Sequence, residues 1–517
     1  MNKPIQNFLI LVLLLLWGNS NTWGQGGTTI RITVKGIKKD STYYIGNYYG
    51  DKQYIVDSAK ADANGNLIFR TSEKLPSGIY FFVPPAKNTF FFEFIVHEHD
   101  FSLETDTSDY DGKMKIKNSR ENEIFYEYRN YLAQKSREVS PFSKRLKEID
   151  DILNPKDSTD TKEGKKGGQS KPAVKKPLPP GTDSVALKRE REQLIEKLRA
   201  VNKEVINFQK AFIEKYKGTL VATIFRATQE PDIPEPRRLP DGKIDSLYPW
   251  RYYRSNYLNY IDFSQPAILR TPIYKNKIDY FLDKLTVQDP DSVNNAIDYI
   301  IEKTNASPEL KKWTISYLMG KYEKSKLMFG ESNFVHIVQK YVAPNREFWG
   351  EKNVFSRQDF WYPDTSLDKI IKRAAKLEPI LINKIAPDIT MYDMNGKPVS
   401  LHKTKGKYTL LVFWDSNCGH CKEVTPKLHD IYLRFRDKGF NVYAANIEQK
   451  PDGWKKFVEE KGFKWINVQD IYHYSNFREI YDVYKTPIIY LLDENKKILF
   501  KHLSHEQVEE FLKDKLK

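Results

Sequence analysis

The 517 residues read as a multidomain α+β chain: a small N-terminal β-sandwich, a central mainly α-helical region and a C-terminal α/β domain. Three observations predict this. The length exceeds what a single hydrophobic core usually serves, so the chain divides. Between about 28 and 118 the apolar residues alternate at period two, whereas from Glu121 they recur every three or four residues. Beyond 379, short apolar runs alternate with helical stretches, as in strands joined by helices.

The first 24 residues hold a short basic start, Met1-Asn2-Lys3, an apolar run from Phe8 to Trp17, and small or polar residues up to Gly24. This describes a secretory signal peptide cut after Gly24, with Gln25 as the new N-terminus. The apolar run is too short to span a bilayer comfortably, so the mature chain is expected not to cross a membrane. No cysteine follows the run, which argues against a lipoprotein anchor. The chain has only two cysteines, three positions apart in sequence, and lacks spare thiols. That usage fits the oxidising periplasm. The formal net charge is +15, but lysines and acids are interleaved along most of the chain. The charge is read as a solvated basic surface, with no nucleic-acid partner.

Residues 25–118 give the sandwich. Thr29-Ile30-Arg31-Ile32-Thr33-Val34 alternates, Asn64-Gly65 looks like a tight hairpin, and Gly78 to Val83, Phe90 to Val96 and Phe101 to Leu103 are further strands. The many aromatic residues are read as filling for a thin core rather than as a sugar-stacking surface. His97-Glu98-His99 puts two histidines on one strand face, but no third ligand is in sight, so it is read as an exposed strand end and not a metal site.

Residues 119–378 form the helical region. Ile124, Tyr128, Leu132, Leu146, Ile149 and Leu153 mark one helix, expected to break near Pro141. A second runs from Val185 through Leu194, Leu198, Val201, Val205, Phe208 and Phe212. The insertion at 155–182 lacks aromatic residues and is rich in Lys, Gly and Pro, so it is expected to be disordered. Further on, Ser307-Pro308-Glu309 reads as an N-cap with proline at the first helical position. These later helices carry no catalytic constellation and are expected to pack around the first or the last domain.

The chemistry lies in 379–517. Both cysteines sit in Cys418-Gly419-His420-Cys421, after the apolar run Tyr408 to Trp414 and before a helical stretch that begins Lys422-Glu423-Val424. A strand that delivers C-x-x-C to a helix start is the layout of a dithiol/disulfide redox centre. Unpaired N–H groups and the dipole at that start favour an anion, hence the thiolate of Cys418 as nucleophile. Cys421, one turn deeper, resolves a mixed disulfide. Zinc would need about four ligands, and no second pair exists. His420 can be cationic near neutral pH and donate toward the Cys418 thiolate. Farther along, Thr486-Pro487 opens the buried-strand pattern Ile488 to Leu492. A proline there resembles the cis-proline loop that faces the C-x-x-C in thioredoxin-superfamily proteins, and it would leave the Thr486 backbone free to pair with an extended substrate.

The residues Ala386-Pro387-Asp388, Asn395-Gly396-Lys397, Leu411-Val412-Phe413-Trp414, the Cys418/Cys421 pair, Pro426 and Thr486-Pro487 together resemble the TlpA/ResA-like thiol–disulfide oxidoreductases, over about a quarter of the chain. The resemblance implies a thioredoxin-like α/β domain, protein thiol/disulfide substrates, a membrane or periplasmic electron donor and no cofactor. It implies Cys418 and Cys421 as catalytic residues, with Trp414, His420, Thr486 and Pro487 in support. Two departures stand out. The thioredoxins' buried aspartate is Val412 here, and the ResA-type glutamate is Val424, which leaves the proton carrier for Cys421 open; Glu423, one step away, reads first as a surface acid on a solvated helix face. The Gly-His dipeptide resembles protein disulfide isomerases. Peroxiredoxins share the fold, but the positions of their Pro-x-x-x-Thr-x-x pattern carry Leu411 and Asp415, so a peroxiredoxin-like antioxidant is an alternative only. The other alternative is an envelope binding protein whose N-terminal region recognises glycan or protein, with a secondary redox domain.

Overall fold

The computed structural model describes residues 26–86, 90–153, 183–325, 327–345, 364–448, 451–470, 472 and 474–517. The expected signal peptide and the expected insertion at 155–182 lie outside these residues. The fold class is the one the sequence predicts, an N-terminal β-domain, helices and a C-terminal α/β domain. The chain forms two compact units, Met1–Phe281 and Leu282–Lys517. The helical region, read as one stretch from 119 to 378, therefore divides between them.

In the first unit, two four-stranded sheets face each other. Their orders are β4-β1-β7-β8 and β3-β2-β5-β6. The strands are β1 (Thr28–Lys35), β2 (Thr42–Tyr49), β3 (Lys52–Lys60), β4 (Asn66–Thr71), β5 (Gly78–Val83), β6 (Phe92–Val96), β7 (Asp100–Asp106) and β8 (Lys115–Lys117). β1 buries every second residue, and Ile30, Ile32, Phe69, Tyr80, Phe82, Phe92, Phe94 and Phe101 fill the space between the sheets. β5 is buried on both faces, because Ile79 on its other face joins Ile124, Tyr128 and Phe212 of the helices.

Asn64-Gly65 does form a tight turn: Gly65 has φ +77°, and one Asp62 carboxylate oxygen accepts the N–H groups of Asn64 and Asn66 at 2.8 Å each. It does not close a hairpin. β3 pairs with β2 and β4 with β1, so the turn carries the chain from one sheet to the other. Turn residues set the local reversal, whereas partner choice follows from which apolar face each strand must bury.

Helix α1 (Arg120–Leu153) runs unbroken through Pro141, where the sequence predicts an end. Pro141 and Arg137, whose carbonyl loses its N–H partner, are both exposed, so the lost bond lies on the solvent side of the helix. The antiparallel neighbour α2 (Ser184–Lys215) clamps α1 on either side of the proline. Tyr131 stacks on Phe208, and Arg145 grips Glu190 with two bonds of 2.7 and 2.9 Å. Asn122 of α1 accepts from Ile95 N and donates to Ile95 O, at 2.8 and 2.7 Å. It stands in for the missing neighbour of β6, an edge strand. The short helices α3 (Leu220–Arg226), α4 (Tyr248–Asn256) and α5 (Ile273–Lys284) follow.

The second unit holds α6 (Pro290–Lys303), α7 (Pro308–Glu323), α8 (Gly330–Ile337) and α9 (Asp364–Leu377) ahead of the C-terminal domain. Ser307 caps α7, accepting from Leu310 N at 3.3 Å, with Pro308 first in the helix. The domain is a seven-stranded sheet of order β10-β9-β13-β12-β11-β14-β15. Its strands are β9 (Thr390–Asp393), β10 (Pro398–Ser400), β11 (Tyr408–Trp414), β12 (Phe440–Asn446), β13 (Ile466–Gln469), β14 (Ile488–Asp493) and β15 (Ile498–Lys501). Its helices are α10 (Gly419–Phe435), α11 (Pro451–Lys461), α12 (Phe477–Ile480) and α13 (His505–Lys515). Within this unit Lys501, 2% exposed, pairs with Glu331 of α8, and Lys376 of α9 pairs with Glu479.

Candidate active site

β11 is an interior strand of the sheet, buried from Thr409 to Trp414. Its neighbours are β12, parallel, and β14, antiparallel. Antiparallel entry puts the start of β14 beside the end of β11, with Ile488 opposite Phe413. The residues before Ile488 thus arrive where Cys418 leaves the sheet. The Thr486–Pro487 bond is cis, and the Cys418 thiol donates to the Thr486 carbonyl at 3.6 Å. Two segments far apart in sequence meet because the sheet reverses direction between these strands.

Cys418 is the N-cap of α10, with extended backbone (φ −75°, ψ 119°). It is half-buried, and Cys421 is fully buried; both thiols are free. Burial works against a Cys418 thiolate. The N–H and thiol of Cys421, the Thr486 hydroxyl and the His420 N–H outweigh it and hold the Cys418 thiol below its ordinary range. Burial pushes Cys421 up to about 11, with the Asp415 N–H and Thr486 hydroxyl opposing and the neighbouring Cys418 sulfur adding to the rise. The pair is split: the outer sulfur ionises first, and the inner one keeps its proton.

The remaining predicted positions differ in what they touch. The His420 side chain is exposed; what reaches Cys418 is its backbone N–H. Trp414 is fully buried, with its ring 5.6 Å from that of Phe457. Among the described residues its indole N–H has no hydrogen-bond partner, and neither has the side-chain amide nitrogen of Asn446, the residue paired with Trp414 across β11 and β12. Val412 and Val424 lie in the apolar cluster around Cys421, and Glu423 points to solvent. None of these three offers Cys421 a carboxylate.

The sequence predicts no structural role for the loop between β11 and α10. The Asp415 carboxylate accepts Asn417 N at 2.7 Å, an Asx turn of the kind Asp-x-Asn sequences favour. The Asp415 carbonyl accepts Cys418 N at 3.2 Å. Glu448, just past β12, accepts from the Ser416 hydroxyl and the Asn417 side-chain amide. No local signal could have found it, because Glu448 meets the loop only through strand pairing.

His97 and His99 do not converge. His97 bonds the Ser77 hydroxyl and His99 the Thr28 hydroxyl, each at 3.1 Å. Among the described residues no group of three metal-ligating side chains is gathered, and no helix is long and apolar enough to cross a membrane.

Residues 382–501 match the AhpC/TSA family. This region is a thioredoxin-like domain of that family. Residues 28–125 and 186–349 match two domains of unknown function, DUF4369 and DUF5106. The AhpC/TSA-type domain is similar to thiol-disulfide oxidoreductase ResA of Bacillus cereus, 28% identical over 142 residues that make up 27% of this chain and 81% of that protein. ResA of Bacillus anthracis is 29% identical over 143 residues, 28% of this chain and 81% of that one. A solved domain of a possible thiol-disulfide isomerase from Cytophaga hutchinsonii is 45% identical, covering 26% of this chain and 92% of its own, with a TM-score of 0.25.

Proposed function

We propose that the chain is a periplasmic thiol–disulfide oxidoreductase that acts on protein cysteines through the Cys418-Gly419-His420-Cys421 pair. One observation carries the reading: the two sulfurs share a helix start yet are driven apart in acidity, the outer one down and the inner one up to about 11. Relatives named thiol-disulfide oxidoreductase support it, as does a chain with no cysteine outside the pair.

In the reducing direction, the Cys418 thiolate attacks one sulfur of a substrate disulfide. The S–S bond breaks, the other substrate sulfur leaves as a thiolate and takes a proton from water, and Cys418 is held in a mixed disulfide. Loss of the Cys418 charge removes one contribution that raises the Cys421 pKa. Cys421 gives up its proton and attacks the Cys418 sulfur, releasing the second substrate thiolate. Two electrons have passed to the substrate, and the Cys418–Cys421 disulfide remains. A membrane-bound or periplasmic dithiol returns it to the reduced form. The reverse sequence oxidises a substrate dithiol. Thr486 holds the partner chain through its backbone, Pro487 keeps that backbone turned toward Cys418, and Trp414 supports the sheet end beneath the pair.

Alkylation of the reduced chain tests the assignment. A small iodoacetamide dose near neutral pH is expected to label Cys418 and spare Cys421. Preferential labelling of Cys421 would reverse the roles and defeat the mechanism.

A further inference from the structure

Glu448 is bound on every side that the chain can reach. Its N–H donates to the Asn446 side-chain oxygen at 2.9 Å, and its carbonyl accepts from the Gln469 amide at 2.6 Å. The next carbonyl back, Ile447 O, accepts from Arg478 at 2.8 Å, and Ile447 N donates to Trp414 O at 2.9 Å. The backbone is thereby locked to β11, β13 and the segment beyond. A Cβ added at Gly453 would come within 3.0 Å of the Glu448 carboxylate, so the side chain has a close wall on one flank. The carboxylate then spends one oxygen on the Ser416 hydroxyl and the other on the Asn417 amide. These two residues immediately precede Cys418.

We propose that Glu448 is a positioning residue for thiol exchange, acting through Ser416 and Asn417 to fix the loop that delivers Cys418. The inference rests on the function proposed above and deepens it. The Cys418 thiolate depends on backbone N–H groups of His420 and Cys421, and hydrogen bonds to an anion weaken steeply when donor angles drift. The loop has three residues between the strand end and the N-cap. Asp415 holds the Asn417 N–H, and Glu448 holds the side chains of Ser416 and Asn417. No carboxylate stands at position 412 or 424; the acid nearest this loop from the sheet serves geometry.

Glu448 also carries charge, and an anion near Cys418 opposes its thiolate. The two roles have opposite signs, which makes the choice of variant decisive. The titratable groups on the segments that meet at Cys418 are Asp415 and Glu448 at the loop, His420 and Cys421 on its own helix, and Tyr484 and Lys485 in the two positions before Thr486. Ser416→Ala with Asn417→Ala leaves all of them in place and removes only the anchor.

The test measures the pH profile of Cys418 alkylation and the rate of reduction of a protein disulfide, insulin, in the full-length chain. With Ser416→Ala/Asn417→Ala the profile is expected to move up by about one pH unit, so that about tenfold less thiolate is present below the pKa, and insulin reduction slows by a similar factor at pH 6. Adding Glu448→Ala to that background is expected to cost no further rate, since the shared contact is already gone. Glu448→Gln alone, which still accepts one of the two bonds, is expected to stay within about threefold of the wild type. A double variant with the wild-type profile and rate would overturn the proposal. If the double variant does not fold, Ser416→Ala and Asn417→Ala are measured singly, and wild-type profiles in both overturn it equally. A wild-type chain in which Cys418 is not the reactive thiol would instead defeat the proposed function, so the two failures are distinct.

Discussion

Glu98 and Glu448 perform the same structural act in the two units, and only one of them is next to chemistry. Glu98, in the turn after β6, accepts from the Ser119 hydroxyl and Glu121 N at 2.8 and 3.0 Å, just where α1 begins. Glu448, in the turn after β12, accepts from Ser416 and Asn417, just before α10 begins. In both, a carboxylate at a strand end closes the gap to a helix start whose N–H groups lack intrahelical partners. In the first unit the donors go to caps: Glu98 takes the Glu121 N–H, and Ser119 takes the Asn122 N–H at 3.2 Å. In the second, the helix start is left open to a sulfur, with N–H groups of His420 and Cys421 directed at Cys418. A helix start becomes reactive when the group its donors are aimed at is a nucleophile and not a carboxylate or hydroxyl.

The comparison is broken or sharpened by substitutions of graded effect. The largest is expected at the sulfurs. Cys418→Ser should abolish exchange, and Cys421→Ser should retain attack but accumulate mixed disulfides with partner proteins, visible on a non-reducing gel. A Cys421→Ser chain that accumulates none would deny the resolving role.

Next comes the ion pair that ties α8 to β15. Glu331→Ala leaves the Lys501 ammonium buried without its carboxylate, at a cost of about 3–5 kcal/mol, read as a lower denaturant midpoint. Burial would raise the Glu331 pKa, but His502 and Lys501 bring it down to about 2. Its folded value lies below the unfolded one, so the stabilisation is whole above about pH 4.5 and is lost as the pH falls toward about 2. A wild-type chain whose stability stays flat over that window, or a variant as stable as the wild type, would show the pair to be idle.

Smaller is Glu98→Ala. Losing a helix-start acceptor should cost about 1–2 kcal/mol of stability, with the rate of thiol exchange unchanged. A slowed exchange would mean that the two carboxylates are not separable in role, against the contrast drawn above.

The smallest effect is expected at His420. Only its backbone N–H reaches the sulfur, so His420→Pro should raise the Cys418 pKa and shift the reduction potential to more negative values, by about 30 mV for each unit by which that pKa rises. His420→Ala keeps the N–H and should change both much less. Equal shifts in the two variants would return the effect to the imidazole, the role the sequence suggests for it.

Much of the redox domain was legible before any coordinate. Cys418-x-x-Cys421, the run into Trp414 and Thr486-Pro487 are contiguous patterns, and contiguous patterns report local backbone: strand, helix start, proline turn. The Ser307-Pro308 cap was legible for the same reason. Where the reading went astray, a local signal was asked a long-range question. Asn64-Gly65 turns the chain tightly, yet β3 and β4 part into different sheets. Pro141 weakens a helix, yet α2 carries α1 through it. The helices between 119 and 378 look alike in periodicity, which records that one face is apolar and not what that face meets.

By itself, then, the amino-acid order determined that one dithiol at a helix start carries the chemistry, that a β-domain and helices precede it, and which sulfur is outermost. Such features depend on neighbours in sequence, where backbone geometry leaves few choices. Resemblance implied that Thr486 faces Cys418; only the tertiary structure decided how it arrives, through antiparallel entry of β14, and that Cys421 is buried enough to be pushed up to about 11. It alone brought Glu448 to Ser416 and Asn417 and Glu331 to Lys501. Those contacts join residues whose approach is paid for by burial of whole sheets and helices, an energy summed over many side chains that no single segment of the sequence displays.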